Sequence, residues 1–228
     1  MQRIKFVSPP QSYVKLRSEG ADFSQLSSDT AIRRALWEQQ SRRCAYCERR
    51  LKDPSKPDHR TRIEHFHPQS SDLWDGDCEE ASGTVKQDKA PTSWKNLLLC
   101  CDGNERAGAS YCCDKSKAGR EICAVFRNPK SWPLPALVNV DRAGYATVAL
   151  GLPHTADAVI KETLNLNADH LVSARKAVLA ARIQQIEQQR RKHRGLTHAM
   201  RIEIIGRLRK DAESAEFGAV LLSIADRL

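Results

Sequence analysis

The 228-residue sequence has no apolar run of about 18 residues, the minimum for a helix that crosses a bilayer, so a soluble protein with no membrane partner is expected. Its start, MQRIKFVSPP, is basic but has no apolar h-region and no small-residue cleavage site. A secretory signal is therefore not expected, and the cytoplasm is the default location. No GxxxxGKS loop is present, which excludes a phosphate-loop ATP site within the chain. There is no aromatic-rich strand to announce base stacking, and no internal repeat or low-complexity tract. One compact unit with a real core remains the expectation at this length.

Acidic residues are fewer than basic ones, 28 against 37, giving a formal net charge of +9. Residues 171–210 contain eleven Lys and Arg against only Glu187 and Glu203, so this stretch carries the whole excess and the rest of the chain is neutral. Such a concentration, with Arg190, Arg191 and Lys192 consecutive, suits a phosphate backbone or an acidic protein partner. The plainer alternative is a solvated helix face.

Cysteine is abundant, and its arrangement is informative. Six of the eight residues fall in tight pairs: Cys44 and Cys47 in CAYC, Cys100 with Cys101, and Cys112 with Cys113. In a chain of this length, paired thiols point to metal binding rather than to a disulfide scaffold. A CxxC knuckle gives half of a tetrahedral thiolate cage, and the other half must come from Cys100 or Cys101 with Cys112 or Cys113. Four thiolates leave no open position for water, so a zinc ion held there would be structural.

The pattern along the chain is α+β and mainly α. Residues 29–42 read as a helix, with Asp29 as cap and Ile32, Leu36 and Trp37 along one face. From Cys44 to Cys123 short apolar pieces alternate with Asp, Ser, Gly and Pro, as in a loop-rich, metal-stapled module. Residues 70–92 read as an irregular insertion, with Trp74 and Cys78 unassigned. Residues 137–150 alternate about a Gly-containing turn and predict a hairpin, and after Pro153 three or four helices are expected. The expected organisation is an N-terminal helical lead-in over 1–43, a zinc-bound module over 44–125, and a hairpin with a basic helical region over 126–228.

Hydrolysis of a phosphodiester needs a base for water, a cation for charge on the phosphate and leaving oxygen, and anchors for both. The segment EHFHP, residues 64–68, offers the first two: a hard carboxylate at Glu64 and an imidazole at His65. In an extended strand these neighbours point to opposite faces, so a local bend is expected to bring both to one phosphate. Pro68 is expected to end the strand.

Glu64, His65 and Pro68, then Asn96, then Cys113 and Asp114 with Lys117, resemble the ordered motifs of the HNH, or ββα-metal, nucleases. The resemblance implies a zinc-stapled hairpin-and-helix core, with His65 as general base, Glu64 and Asp114 as ligands of a catalytic divalent ion, Asn96 orienting the base, and Lys117 as the basic residue of the site. Two carboxylates favour Mg²⁺ or Mn²⁺. Position against the family also selects Cys101 and Cys113 to complete the zinc set with Cys44 and Cys47, leaving Cys100 and Cys112 as buried thiols. His67 falls at a variable position, where a loop or phosphate contact is expected. Asp114 has helix capping open to it as a second role, and Asn96 turn closure.

LWEQQSRRCAYCERRL, RIEHFHPQS, SWKNLLLCCDGNE, CDKSKAG and ETLNLNADHLVSAR, in this order, resemble the retron-associated HNH family of Septu antiphage systems. That resemblance implies an antiphage effector working with a PtuA-like ABC-type ATPase, which would supply any ATP control. DNA is the expected substrate, with RNA, tRNA included, as the nearest alternative. A zinc-stapled nucleic-acid-binding adaptor with a degenerate site is the rival from another class.

Overall fold

The computed structural model describes residues 1–54, 60–69 and 91–228, so the expectations for Trp74, Cys78 and most of the insertion lie outside the described residues. The architecture is α+β and mainly helical. Among the described residues, no helix is long and apolar enough to cross a membrane.

The N-terminal region contains three short helices rather than one: α1 (Gln11–Ser18), α2 (Phe23–Ser28) and α3 (Thr30–Gln39). The helix expected from Asp29 is α3, and the Asp29 carboxylate accepts the Ile32 amide at 2.8 Å. Ile32, Leu36 and Trp37 are its buried face. The helix stops three residues early because the chain turns through left-handed conformations at Ser41 and Arg42, φ 51° and 64°. Two earlier helices escaped notice because six- and eight-residue segments give too few turns to display a period.

Two strands follow, β1 (Thr61–His65) and β2 (Leu97–Cys101), antiparallel with Glu64 opposite Leu98 and His65 opposite Leu97. All five residues of β2 are buried. The unbroken apolar run LLLCC suits a strand covered on both faces, here by α3 and by α4 (Cys113–Lys117). The edge of β2 away from β1 is closed by a side chain. Gln40 donates to the Leu99 carbonyl at 2.7 Å and accepts the Leu99 amide at 2.7 Å. Lys130 does the same for the Leu97 carbonyl at 2.6 Å and also reaches the Trp94 carbonyl at 2.7 Å. Burial pushes this ammonium down to about 7.

The predicted hairpin is β3 (Val138–Val140) paired with β4 (Ala146–Val148). Its turn needs Gly144, with φ 88°, because a Cβ there would stand 2.8 Å from the Val172 carbonyl oxygen. Beyond it come α5 (Ala156–Ala158), a π turn (Val159–Thr163), α6 (Asp169–Lys192), α7 (His198–Ala212) and α8 (Gly218–Ala225). One hydrophobic cluster runs from Met1 to Ala225, so the three sequence segments share a core. Arg43 ties the first segment to the last, its guanidinium donating to the carbonyls of Ala212, Glu213 and Ala215 at the end of α7.

Candidate functional site

The hairpin β1–β2 and the short helix α4 bring the two halves of the cysteine pattern together. Cys44 and Cys47 lie in a tight turn after α3, closed by the Cys44 amide on the Arg49 carbonyl at 2.9 Å and the Glu48 amide on the Cys44 carbonyl at 3.1 Å. Cys101 ends β2, and Cys113 begins α4 in a left-handed conformation, φ 55°. That conformation is costly for a residue with a Cβ, and it is sustained where surrounding bonds fix it. Here the Cys113 amide donates to the Leu164 carbonyl at 2.8 Å.

The four sulfurs of Cys44, Cys47, Cys101 and Cys113 all lie within 4.8 Å of one another, and all four residues are buried. Tetrahedral zinc with Zn–S bonds of about 2.3 Å places its sulfurs about 3.8 Å apart. Cys47 Sγ and Cys101 Sγ are 3.8 Å apart. The donor set and its spacing therefore fit a structural zinc ion, and the four cysteines could hold one. Cys100 and Cys112 are both buried but outside this group. Cys100 belongs to the opposite strand face from Cys101, and burial pushes its thiol up. Cys112 Sγ lies 3.7 Å from Cys113 Sγ and 3.7 Å from His170 Nε2.

Beside the cysteines, Glu64, Asp114 and Lys117 converge. Lys117 is 1% exposed, and its ammonium lies 2.9 Å from Glu64 Oε1 and 2.9 Å from the His65 carbonyl oxygen. Tyr46, the residue inside CAYC, donates its hydroxyl to the same Glu64 oxygen at 3.2 Å. Burial, and then a hydrogen bond with Asp114, push the Glu64 carboxyl up to about 8, against the pull of Lys117. The two carboxylates have a cation each nearby, Lys117 against Glu64 at 2.9 Å and Arg62 4.0 Å from Asp114. Asp114 lies in the first turn of α4 and does not cap it; the cap position is Cys112, without a side-chain bond.

His65 is arranged differently from its neighbour. β1 pairs regularly through His65, without the expected bend, because the ladder with Leu97 and Leu98 is intact. The ring is directed to other partners than Glu64 or Asp114: Nε2 donates to the Pro91 carbonyl at 2.8 Å, Gln69 Nε2 lies 3.2 Å from Nδ1, and Phe23 packs on the ring at 4.2 Å between centroids. A carbonyl can only accept, so the proton belongs on Nε2, and Nδ1 is left as the acceptor facing the Gln69 amide. Burial lowers the pKa of this histidine, which favours the neutral ring.

Asn96 clasps the backbone of His67 from both sides, accepting its amide at 2.7 Å and donating to its carbonyl at 3.0 Å. Its geometry fixes the segment that follows His65. The side chain of His67, where a loop or phosphate contact was expected, is 2% exposed and pairs through Nδ1 with Glu121, in the loop after α4, at 2.8 Å. Glu121, in turn, accepts the amides of Ile122 and Cys123 at 2.8 Å each. Pro68 lies beyond the strand end, which the Phe66 amide already marks by bonding the Asn96 carbonyl at 3.0 Å. Arg190, Arg191 and Lys192 are exposed in the last turn of α6, where they also favour the negative end of the helix dipole.

Sequence reasoning missed Tyr46, Glu121 and Arg62. For Arg62 a signal existed: two residues before Glu64 in a strand, it shares that residue's face. Comparison with protein-family models and with curated protein sequences finds no match.

Proposed function

We propose that this chain is a metal-dependent HNH-type endonuclease that hydrolyses phosphodiester bonds in nucleic acid, DNA foremost, as the effector of an antiphage system with a PtuA-like ABC-type ATPase. The observation that carries the reading is the meeting of Glu64, Asp114 and Lys117 on a cysteine-stapled hairpin and helix, one residue from a neutral His65. On this reading the hairpin and helix serve as a ββα-metal core, and Glu64 and Asp114 would be the ligands of the hard ion. A divalent ion bound there would supply Lewis acidity to the phosphate and charge stabilisation to the leaving oxygen.

His65 is the base of this reading, and because regular pairing turns its ring away from Glu64 and Asp114, base action requires that ring to swing towards the phosphate when substrate binds. Nε2 of the ring carries its proton, so Nδ1 takes the proton of the attacking water, and the exposed Gln69 amide beside Nδ1 is the group that water displaces. Asn96 keeps the following backbone in place. Lys117 holds the Glu64 carboxylate and the His65 backbone in fixed relation.

A second reading, a zinc-stapled nucleic-acid-binding adaptor, is favoured by one observation: Lys117 already fills part of the charge requirement of Glu64, while the His65 ring bonds elsewhere. One experiment separates the two. The chain, purified with the product of its neighbouring gene, is given plasmid DNA and total RNA with Mg²⁺ or Mn²⁺. The nuclease reading expects metal-dependent cutting, DNA before RNA; binding without cutting under every condition selects the adaptor.

A further inference from the structure

One cluster of charges beside the carboxylate pair has no part in that reading. Arg62 on β1 contacts Glu105, which also accepts from Lys115 at 2.7 Å. Arg62 Nη1 lies 4.0 Å from Asp114 Oδ2. Arg62 and Lys115 are each 34% exposed and Glu105 40%, so the cluster opens to solvent, with Tyr111, also exposed, beneath the Lys115 ammonium at 5.6 Å. Arg62 shares the strand face of Glu64, and Lys115 follows Asp114 directly on α4. Two cations therefore stand at the rim of the carboxylate pair, both occupied by one glutamate.

The loop holding that glutamate is fitted to α4. A Cβ on Gly103, with φ 62°, would lie 2.4 Å from Lys115 Cβ and 2.5 Å from the Cys112 carbonyl oxygen, so only glycine allows the approach. The Cys112 amide donates to the Gly103 carbonyl at 3.0 Å. Glu105 is in this way delivered to Arg62 and Lys115 by a fixed backbone.

We propose that Arg62 and Lys115 are the phosphate-seating pair of this site, and that Glu105 is an internal carboxylate which occupies them until a nucleic-acid phosphate displaces it. The inference rests on the nucleic-acid reading above but needs no cutting. A guanidinium that donates to a carboxylate can donate equally to a phosphate oxygen, and lysine adds a point charge. While Glu105 holds both, weak ligands are excluded; a polyanion offers several phosphates together and prevails.

The test measures binding of a short fluorescent DNA duplex, and separately a single-stranded RNA, across a salt series, using the full zinc-bound chain with His65→Ala to prevent cutting. Glu105→Gln should tighten binding by roughly tenfold, the equivalent of one charge-assisted hydrogen bond. Arg62→Gln and Lys115→Gln should each weaken it and reduce the logarithmic salt slope by about one. The preferred nucleic acid identifies the source of the phosphate. Zinc content and unfolding temperature report folding of each variant. If Glu105→Gln weakens binding or leaves it unchanged, Glu105 is only a loop tether and the proposal is wrong; unchanged salt slopes in the two cation variants, or no binding at all, also overturn it. Wild-type cutting without the binding pattern defeats this inference alone, while the binding pattern without any cutting defeats the nuclease reading alone.

Discussion

The Lys117 ammonium sits 2.9 Å from Glu64 Oε1 and 2.9 Å from the His65 carbonyl oxygen, so one buried cation on α4 ties down the two adjacent residues of β1 on which the proposed chemistry depends. The side chains involved are 1% and 7% exposed, so water screens the pair poorly. Removing one partner leaves the other charge buried. Above about pH 8, where the Glu64 carboxyl ionises in the folded protein, Lys117→Met is expected to lower unfolding free energy by about 3 kcal/mol in urea titrations. A change near zero would show that Glu64 is protonated in the folded protein and needs no cation.

The four thiols give a second prediction. Cys44→Ser, Cys47→Ser, Cys101→Ser and Cys113→Ser should each lose zinc by elemental analysis and destabilise the fold by on the order of 5 kcal/mol, because zinc binding and folding are coupled. Cys100→Ser should retain the metal, since its sulfur lies outside the four. Zinc retained by Cys101→Ser and lost from Cys100→Ser would reverse that assignment.

Part of this centre was legible in advance. The CxxC knuckle and α3, with Asp29 and its apolar face, were readable from local pattern, whereas Cys101 and Cys113 were chosen from the family resemblance, spacing alone leaving Cys100 and Cys112 open. The partner of His67 could not be named because Glu121 is distant in sequence, and nothing in EHFHP distinguishes a buried imidazole from a solvent-facing one. The regular pairing at His65 depends on Leu97 and Leu98, again remote. Arg43 and Gln40 look like ordinary helix-end polar residues until α7 and β2 arrive beside them. Residues whose role is set by chain neighbours could be read; those set by long-range partners could not.

Asn96 makes two side-chain bonds to one peptide segment, which yields a sharp comparison. Asn96→Ala should cost about 2 kcal/mol of stability, from two lost buried hydrogen bonds. Asn96→Asp keeps an acceptor for the His67 amide but turns an oxygen toward the His67 carbonyl, so it should be no better than alanine in thermal unfolding. Full stability in the Asp variant would mean that the clasp is unimportant.

Lys130 links stability to pH. Burial lowers its folded-state pKa to about 7, below the value of 10.5 for an unburied lysine. Between these values the unfolded chain binds the proton and the folded chain does not, so stability rises with pH across that window, by up to about 1.4 kcal/mol per unit. Wild type should accordingly gain stability relative to Lys130→Met as pH rises from about 7 towards 10, the limits set by those two pKa values. A difference independent of pH would place the folded ammonium at its ordinary pKa.

Charge reversal at Arg190, Arg191 and Lys192 should leave unfolding temperature nearly unchanged, since all three are exposed. Lost nucleic-acid binding in filter or anisotropy assays would assign the segment to substrate, and lost complex formation with the ATPase alone would assign it to the partner. If neither changes, the basic turn is a solvated helix end.

The most direct test of the central claim is cleavage by His65→Ala beside wild type, with Mg²⁺ or Mn²⁺, on plasmid DNA and total RNA, with zinc content and unfolding temperature measured on the same preparations. The account predicts metal-dependent cutting by wild type and none by the variant, with zinc and folding retained. Equal cutting by a folded, zinc-bound His65→Ala protein would contradict it.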